Sequence, residues 1–346
     1  MVHLRIVAAE GEVGDVLELL EGSGSVCNVV LLEGAARKPA GDVILADVAR
    51  EDASVIIDDL RELGIPRRGA ISMEYIDTQI SAAAERAVKH APGLPSDAVI
   101  WEDVETRSEE MTELSATFMA FMVASMLLAA VAILLDQPVL LVGAMVVGPE
   151  FGPLAALCVA IVERRNRLVR RSLTALAVGF PAAIAITLLA TLAFDGIDLV
   201  PGRFDPEEHP LTGFISNPDL FSVIVALIAG AIGMLSLTST KSGALVGVLV
   251  SVATIPAAAN IAVAAALGAW GEAAGASAQL AINFSAIVIA GVLTLYMQRR
   301  WYLARRAKHS GDPERLAAGL AQGRGPRGGV VAGSGAPTGR DAPREG

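Results

Sequence analysis

Charge is what this sequence has least of: Asp, Glu, Lys and Arg make up 18% of its 346 residues, against about 25% in an ordinary soluble domain. With 53% apolar residues and a mean hydropathy of +0.55, a water-soluble globule does not fit. Cysteine is nearly absent. Cys27 falls in an expected strand and Cys158 within an apolar run, so neither a disulfide nor a zinc site is expected. The four histidines, His3, His90, His209 and His309, are scattered without ligand spacing, which argues against a metal. No cofactor is implied. The apolar half holds no Ser/His pair, His-rich set or acid pair, so an enzyme is not expected. The first thirty residues lack a basic segment followed by an apolar stretch and a small-residue cleavage site, so the head of the chain is expected in the cytoplasm.

The charge that is present is lopsided. Residues 1–115 carry 10 Lys+Arg and 23 Asp+Glu, whereas residues 116–346 carry 17 and 14. An acidic head of this kind has no electrostatic reason to seek nucleic acid or anionic lipid. Within it, residues 1–77 read as strand, helix, strand, strand, helix, strand. Strands are expected at 4–9, 26–33 and 42–49, the last two joined by a Gly/Ala/Pro loop that suits a hairpin. Helices are expected at 12–21, with Val13, Val16, Leu17 and Leu20 on one face, and at 52–63, with Val55, Ile56, Leu60 and Leu63 inward until Gly64 and Pro66 stop it. Ile71, Met73 and Tyr75 alternate with Ser72 and Glu74 as a last half-buried strand. That order is the split β-α-β plan of a ferredoxin-like α+β domain.

Residues 78–115 read as two connecting helices, the first capped by Thr78 and ended by Pro92, the second capped by Ser96 or Asp97. Beyond 115 the charges vanish in blocks: 116–135, 138–149 resuming over 151–162, 172–194, 220–240, 242–271 and 273–297. About 20 apolar residues cross a bilayer as a helix, so six transmembrane helices are expected over 116–300. If the head is cytoplasmic, the inside connections carry Arg164, Arg165, Arg167, Arg170, Arg171, Lys241, Arg299, Arg300, Arg305, Arg306 and Lys308, and the outside ones Arg203 alone. That bias predicts a multi-pass protein of the cell membrane with both termini cytoplasmic. The outside loop 195–217 is acidic, and the segment 301–346 begins basic and ends in a Gly/Pro/Ala/Arg tail expected to be disordered.

The second and fifth spans share a plan. Val142-Gly143 is followed by Gly148-Pro149-Glu150-Phe151-Gly152-Pro153, and Val246-Gly247 by Pro256 and an alanine-rich exit. Each is the middle helix of three, so the two triplets enter from opposite faces as inverted repeats. Proline removes a donor and clashes with the preceding turn, so both helices are expected to break at Gly148, Pro149, Gly152 and Pro153 and at Pro256. Paired broken helices point to a transport site. Polar residues gather at the same places: Glu150 in the first break, Ser251, Thr254 and Asn260 around the second, and Asn283 in the sixth span. A carboxylate within a span is costly and marks a functional site by default. For Asn260 and Asn283, hydrogen bonding between helices weighs equally with a substrate role.

The run from Gly143 to Pro153, the stretch from Gly247 to Pro256 and the compact head resemble the family catalogued as domain of unknown function 389. The resemblance implies a multi-pass prokaryotic membrane protein without an assigned substrate. It also implies an apolar residue where Glu150 stands, which makes Glu150 a specialisation of this chain. The expected function is a transporter or channel for an ion or small solute. Glu150 would bind a cation or proton, with Ser251, Thr254, Asn260 and Asn283 completing the site. The competing expectation is a membrane-anchored sensor or scaffold whose head binds a ligand or partner. The partners expected are the solute, the bilayer and further copies of the chain, not nucleic acid.

Overall fold

The computed structural model describes residues 1–91, 98–200, 220–239, 245–309 and 320. The head follows the expected order: β1 (Val2–Ala8), α1 (Val13–Gly22), β2 (Val26–Arg37), β3 (Ala40–Val48), α2 (Arg50–Glu62), a single turn α3 (Ile65–Arg68) and β4 (Ala70–Tyr75). The sheet is antiparallel throughout, in the order β2-β3-β1-β4. In β1 the pleat turns Val2, Leu4, Ile6 and Ala8 inward, where they meet Val16, Leu19 and Leu20 of α1 and Ile56 and Leu60 of α2. Each such Leu or Ile contributes about 1.5–3 kcal/mol by leaving water, which lets a small domain hold a core. Leu19 is buried where Leu17 was the expected inward residue, and Leu17 packs at the margin.

The hairpin strands run longer than their apolar patterns. β2 and β3 extend to Arg37 and Ala40 and are joined through Lys38 and Pro39. The extension is stabilised by Gly34, whose φ of +61° lets its N–H reach the Asp42 carboxylate at 2.7 Å. In the connector, α4 (Ala82–His90) is capped by Ser81, whose Oγ accepts from the Ala84 N–H at 3.4 Å, and not by Thr78. The second connecting helix, α5 (Trp101–Glu110), follows; the expected caps Ser96 and Asp97 and the stop at Pro92 lie outside the described residues.

The apolar part comprises α6 (Ala116–Leu134), α7 (Pro138–Val147), α8 (Phe151–Val162), α9 (Asn166–Gly196), α10 (Leu220–Thr238), α11 (Leu245–Ala266) and α12 (Trp270–His309). Four of these, α6, α9, α10 and α12, are long and apolar enough to cross a membrane, and α7 with α8 makes a fifth bent by 54°. The chain therefore has the makings of a multi-pass membrane protein. The acidic loop falls largely in 201–219, and the tail beyond 309 almost wholly, outside the described residues.

Only one of the two expected breaks is present. α7 stops at Gly148 and α8 restarts at Phe151, whereas α11 is one helix straight through Pro256. The contrast has a local cause. Pro149 and Pro153 remove two donors within five residues, each beside a glycine, while Pro256 is alone and followed by Ala257, Ala258 and Ala259, the strongest helix formers. Pro181 is likewise carried inside α9.

The head is fastened to the apolar part by α12. This helix continues past 300 to reach α2, where Tyr302 donates to Asp58, Arg306 pairs with Asp58 and Glu62, and His309 Nε2 lies 3.0 Å from Asp59. α5 packs along α8, with Trp101 and Val104 against Ala155, Cys158 and Val159.

Candidate functional site

The break in α7–α8 is where four other helices, α5, α6, α10 and α11, converge. A helix end leaves its last carbonyls without donors. One of them, Ala144 O, accepts from Ser125 Oγ of α6 at 2.7 Å. Phe151, the first residue of α8, lies against Gly233 of α10, where a methyl group would come within 3.0 Å of the ring. Gly152 faces the end of α5, where a methyl group would sit 3.1 Å from both Cβ and O of Met111. The connector from the head thus ends against the break.

Glu150 is fully buried between α7 and α8. Its Oε1 accepts from Thr254 Oγ1 of α11 at 2.9 Å, and Thr254 Oγ1 also reaches Val250 O at 3.3 Å. Oε2 has no hydrogen-bond partner among the described residues. Ser251 lies one turn before Thr254 on the same face of α11 and is directed at the same carboxyl, yet its buried hydroxyl is also without a partner. The carboxyl folds back over Gly148. A methyl group there would fall 2.5 Å from Oε2 and 3.1 Å from Oε1. Gly148 has φ −60° and ψ 125°, which any residue can adopt, so space and not backbone freedom demands glycine.

The other expected residues divide. Asn283 is not aimed at the carboxyl. Its Nδ2 donates to Ala253 O at 2.6 Å, while its Oδ1 accepts from Gln279 Nε2 at 3.4 Å. Ala253 O neighbours the Val252 carbonyl that Pro256 deprives of its helical donor, so Asn283 supports the turn that the proline weakens. Asn260 is buried within α11, and its side chain makes no hydrogen bond among the described residues. It stands six residues beyond Thr254, about 240° around the helix, on another face. Pro149 and Pro153 make the break itself, and Pro256 lies on α11 behind Thr254. Ser125, Met111 and Phe151 are the contacts that sequence reasoning missed. A lone serine in an apolar helix was the one available signal.

A second buried acid lies below the break, just past α8. Burial, together with a hydrogen bond and like charge from Glu105, pushes the Glu163 carboxyl up to about 8 against the opposing pull of Arg299, with which it pairs. Arg299 in turn lies over the Trp101 ring at 5.5 Å. This cluster joins α5, α8 and α12.

Residues 145–289 match the family described as domain of unknown function (DUF389). The resemblance read from the Gly143 to Pro153 motif is thereby borne out. The family region contains the break, its α11 partners and Asn283, and leaves out the head. The chain is also 26% identical over 273 residues to an uncharacterized protein of Methanocaldococcus jannaschii, MJ0678, an alignment covering 75% of this chain and 79% of that protein. This likeness is longer than the family region. No solved structure matches the chain.

Proposed function

We propose that the protein is a membrane transporter or channel for an ion or small solute, with Glu150, Thr254 and Ser251 as its binding site. The observation that carries this reading is Glu150 itself, a fully buried carboxyl in a helix break with one oxygen unpaired. Neither 116–162 nor 245–266 contains a Lys or Arg. Burying an unpaired charge is prohibitively costly, so the carboxyl must carry a proton or a cation. A single acid balances one positive charge, which favours a proton or monovalent cation as the species bound. Discontinuous helices at such sites supply freed carbonyls as further ligands.

In this reading α11 completes six spans, the two triplets move against each other as inverted repeats, and both termini face the cytoplasm, in keeping with eleven basic residues on one side. The contact between Gly152 and Met111 gives the head a route to the break. The test is flux of protons, Na⁺ and K⁺, and of small solutes, in liposomes holding the full chain. Flux that Glu150→Gln abolishes supports the proposal; no flux above empty vesicles for any of these sinks it.

A second reading, a membrane-anchored sensor, is favoured by a different observation: α12 grips α2 through Tyr302, Arg306 and His309. A head held in this way is suited to report a bound ligand to the spans.

A further inference from the structure

A cavity of about 200 Å³ lies between the head, α5 and the end of α10, far in sequence from the break. Its walls include Arg50 at the start of α2, Tyr75 at the end of β4, Asp103 and Arg107 on α5, and Thr238 and Ser239 where α10 ends. Two cations, Arg50 and Arg107, face two carboxylates, Asp77 and Asp103, but only Arg107 and Asp103 are in ion-pair contact. Tyr75 donates to Asp103 Oδ2 at 2.8 Å and Arg107 Nε donates to Asp103 Oδ1 at 2.9 Å, so Asp103 already holds one cation and a hydroxyl. Asp77, also on the wall, is exposed to water. Arg50 is only 7% exposed. Its Nε donates to Ala98 O at 3.1 Å and its guanidinium lies over the Tyr75 ring at 5.2 Å. Asp103 and Glu51 attract it without ion-pair contact, and its one side-chain hydrogen bond among the described residues is the one from Nε, which leaves the two terminal amino groups free to donate.

A guanidinium remains charged at any working pH, so a largely buried one with free donors favours an anion against them. The free end of an arginine is a planar fork of donors that matches two oxygens of one phosphate or carboxylate. We infer that this cavity binds a small solute bearing an oxyanion, phosphate or carboxylate, held by Arg50 with the Tyr75 ring and Asp103 shaping the rest of the site. The volume lies below the roughly 300–1,000 Å³ of sites for drug-sized ligands, which restricts the occupant to a small solute.

The walls come from separate parts of the chain. Arg50 and Tyr75 belong to the head, Asp103 to the connector, and Thr238 to α10, where its Oγ1 accepts from Gln298 Nε2 of α12 at 2.9 Å. An occupant touching all of them has its full set of contacts only while the head is docked, so its binding shifts the population toward the docked arrangement. This inference uses none of the residues at the break and does not depend on the transport reading.

The experiment is thermal unfolding of the full chain in detergent, titrated with inorganic phosphate and separately with succinate, against chloride at matched ionic strength. Saturable stabilisation by phosphate or succinate beyond chloride is expected, and the probe that acts identifies which oxyanion the site takes. Arg50→Gln should weaken that response roughly tenfold or more, as loss of a charge-assisted pair does, and Arg50→Lys, which keeps the charge without the fork, should weaken it less. Should Arg50→Gln fail to fold, Ser239→Phe fills the cavity from the α10 side and should abolish the response while the chain remains folded. No saturable response to either probe overturns the inference, as does a response that Arg50→Gln or Ser239→Phe leaves unchanged.

Discussion

Glu150 and Thr254 stand 104 residues apart in the chain, and the Thr254 hydroxyl donates to Oε1 of Glu150 at 2.9 Å. This bond ties α11 to the break in α7–α8. Thr254→Val keeps the shape of the side chain and removes the donor, and should cost about 1–3 kcal/mol because the carboxyl oxygen is left unsatisfied. Combined with Glu150→Gln, the two changes should be non-additive by about 0.5–3 kcal/mol in unfolding measured in detergent. Strict additivity would show that the two side chains do not act as a pair.

Gly148→Ala places a methyl group 2.5 Å from Glu150 Oε2 and 3.0 Å from Ile255 Cγ1. The expected loss is about 1–3 kcal/mol, the usual cost of overpacking. Gly143→Ala is the matched control. That glycine lies inside α7 with nothing near its missing methyl, so alanine there should stabilise by up to about 1 kcal/mol. Thermal unfolding of the two variants side by side should give opposite signs.

Asn283→Leu should destabilise by about 1–3 kcal/mol, since the Ala253 carbonyl loses its side-chain donor next to the proline turn. Asn260→Leu removes no hydrogen bond among the described residues and should be close to neutral. Equal losses at the two positions would contradict the supporting role assigned to Asn283.

Glu163 makes stability depend on pH in a definite direction. Its folded value, about 8, lies above its ordinary 4.5, so the folded protein holds a proton that the unfolded chain releases. Stability from this group is complete below about 4.5, declines as pH rises through the interval up to about 8, and is level beyond it. Unfolding midpoints measured across that interval should fall with pH, and Glu163→Gln should flatten the decline. A slope unaltered in that variant would assign it to another group.

The parts of this molecule governed by local pattern were legible in its sequence. Alternation in β1 and the spacing of Val16, Ile56 and Leu60 fix the head's element order, because each face must find the same core. The Gly148-Pro149 and Gly152-Pro153 pairs fix the broken helix, since two lost donors in five residues leave little to hold the turn. Pro256 looked equivalent as a letter. It is not, because a neighbouring helix supplies Asn283 and the local alanines favour the helix, and only the first of these is invisible in the chain's own letters. The closing of Glu150 onto Thr254 and Ser251 could be guessed from their common depth, but Ser125 and Met111 depend on how helices pack, which hydrophobic periodicity does not specify. The basic residues after Arg299 were read as a topological signal. Arg306 turns out also to be an anchor for the head, since Asp58 and Glu62 approach it from a domain more than two hundred residues earlier.

Forty uninterrupted residues make α12 a rod of about 60 Å. Along it, Asn283 reaches Ala253 of α11 at one level, Arg299 pairs with Glu163 further on, and Arg306 meets α2 at its far end. A rod cannot lean at one end alone. Were the apolar half to tilt, the acidic head would swing through an arc, and a load that stilled the head would brake that tilt in return.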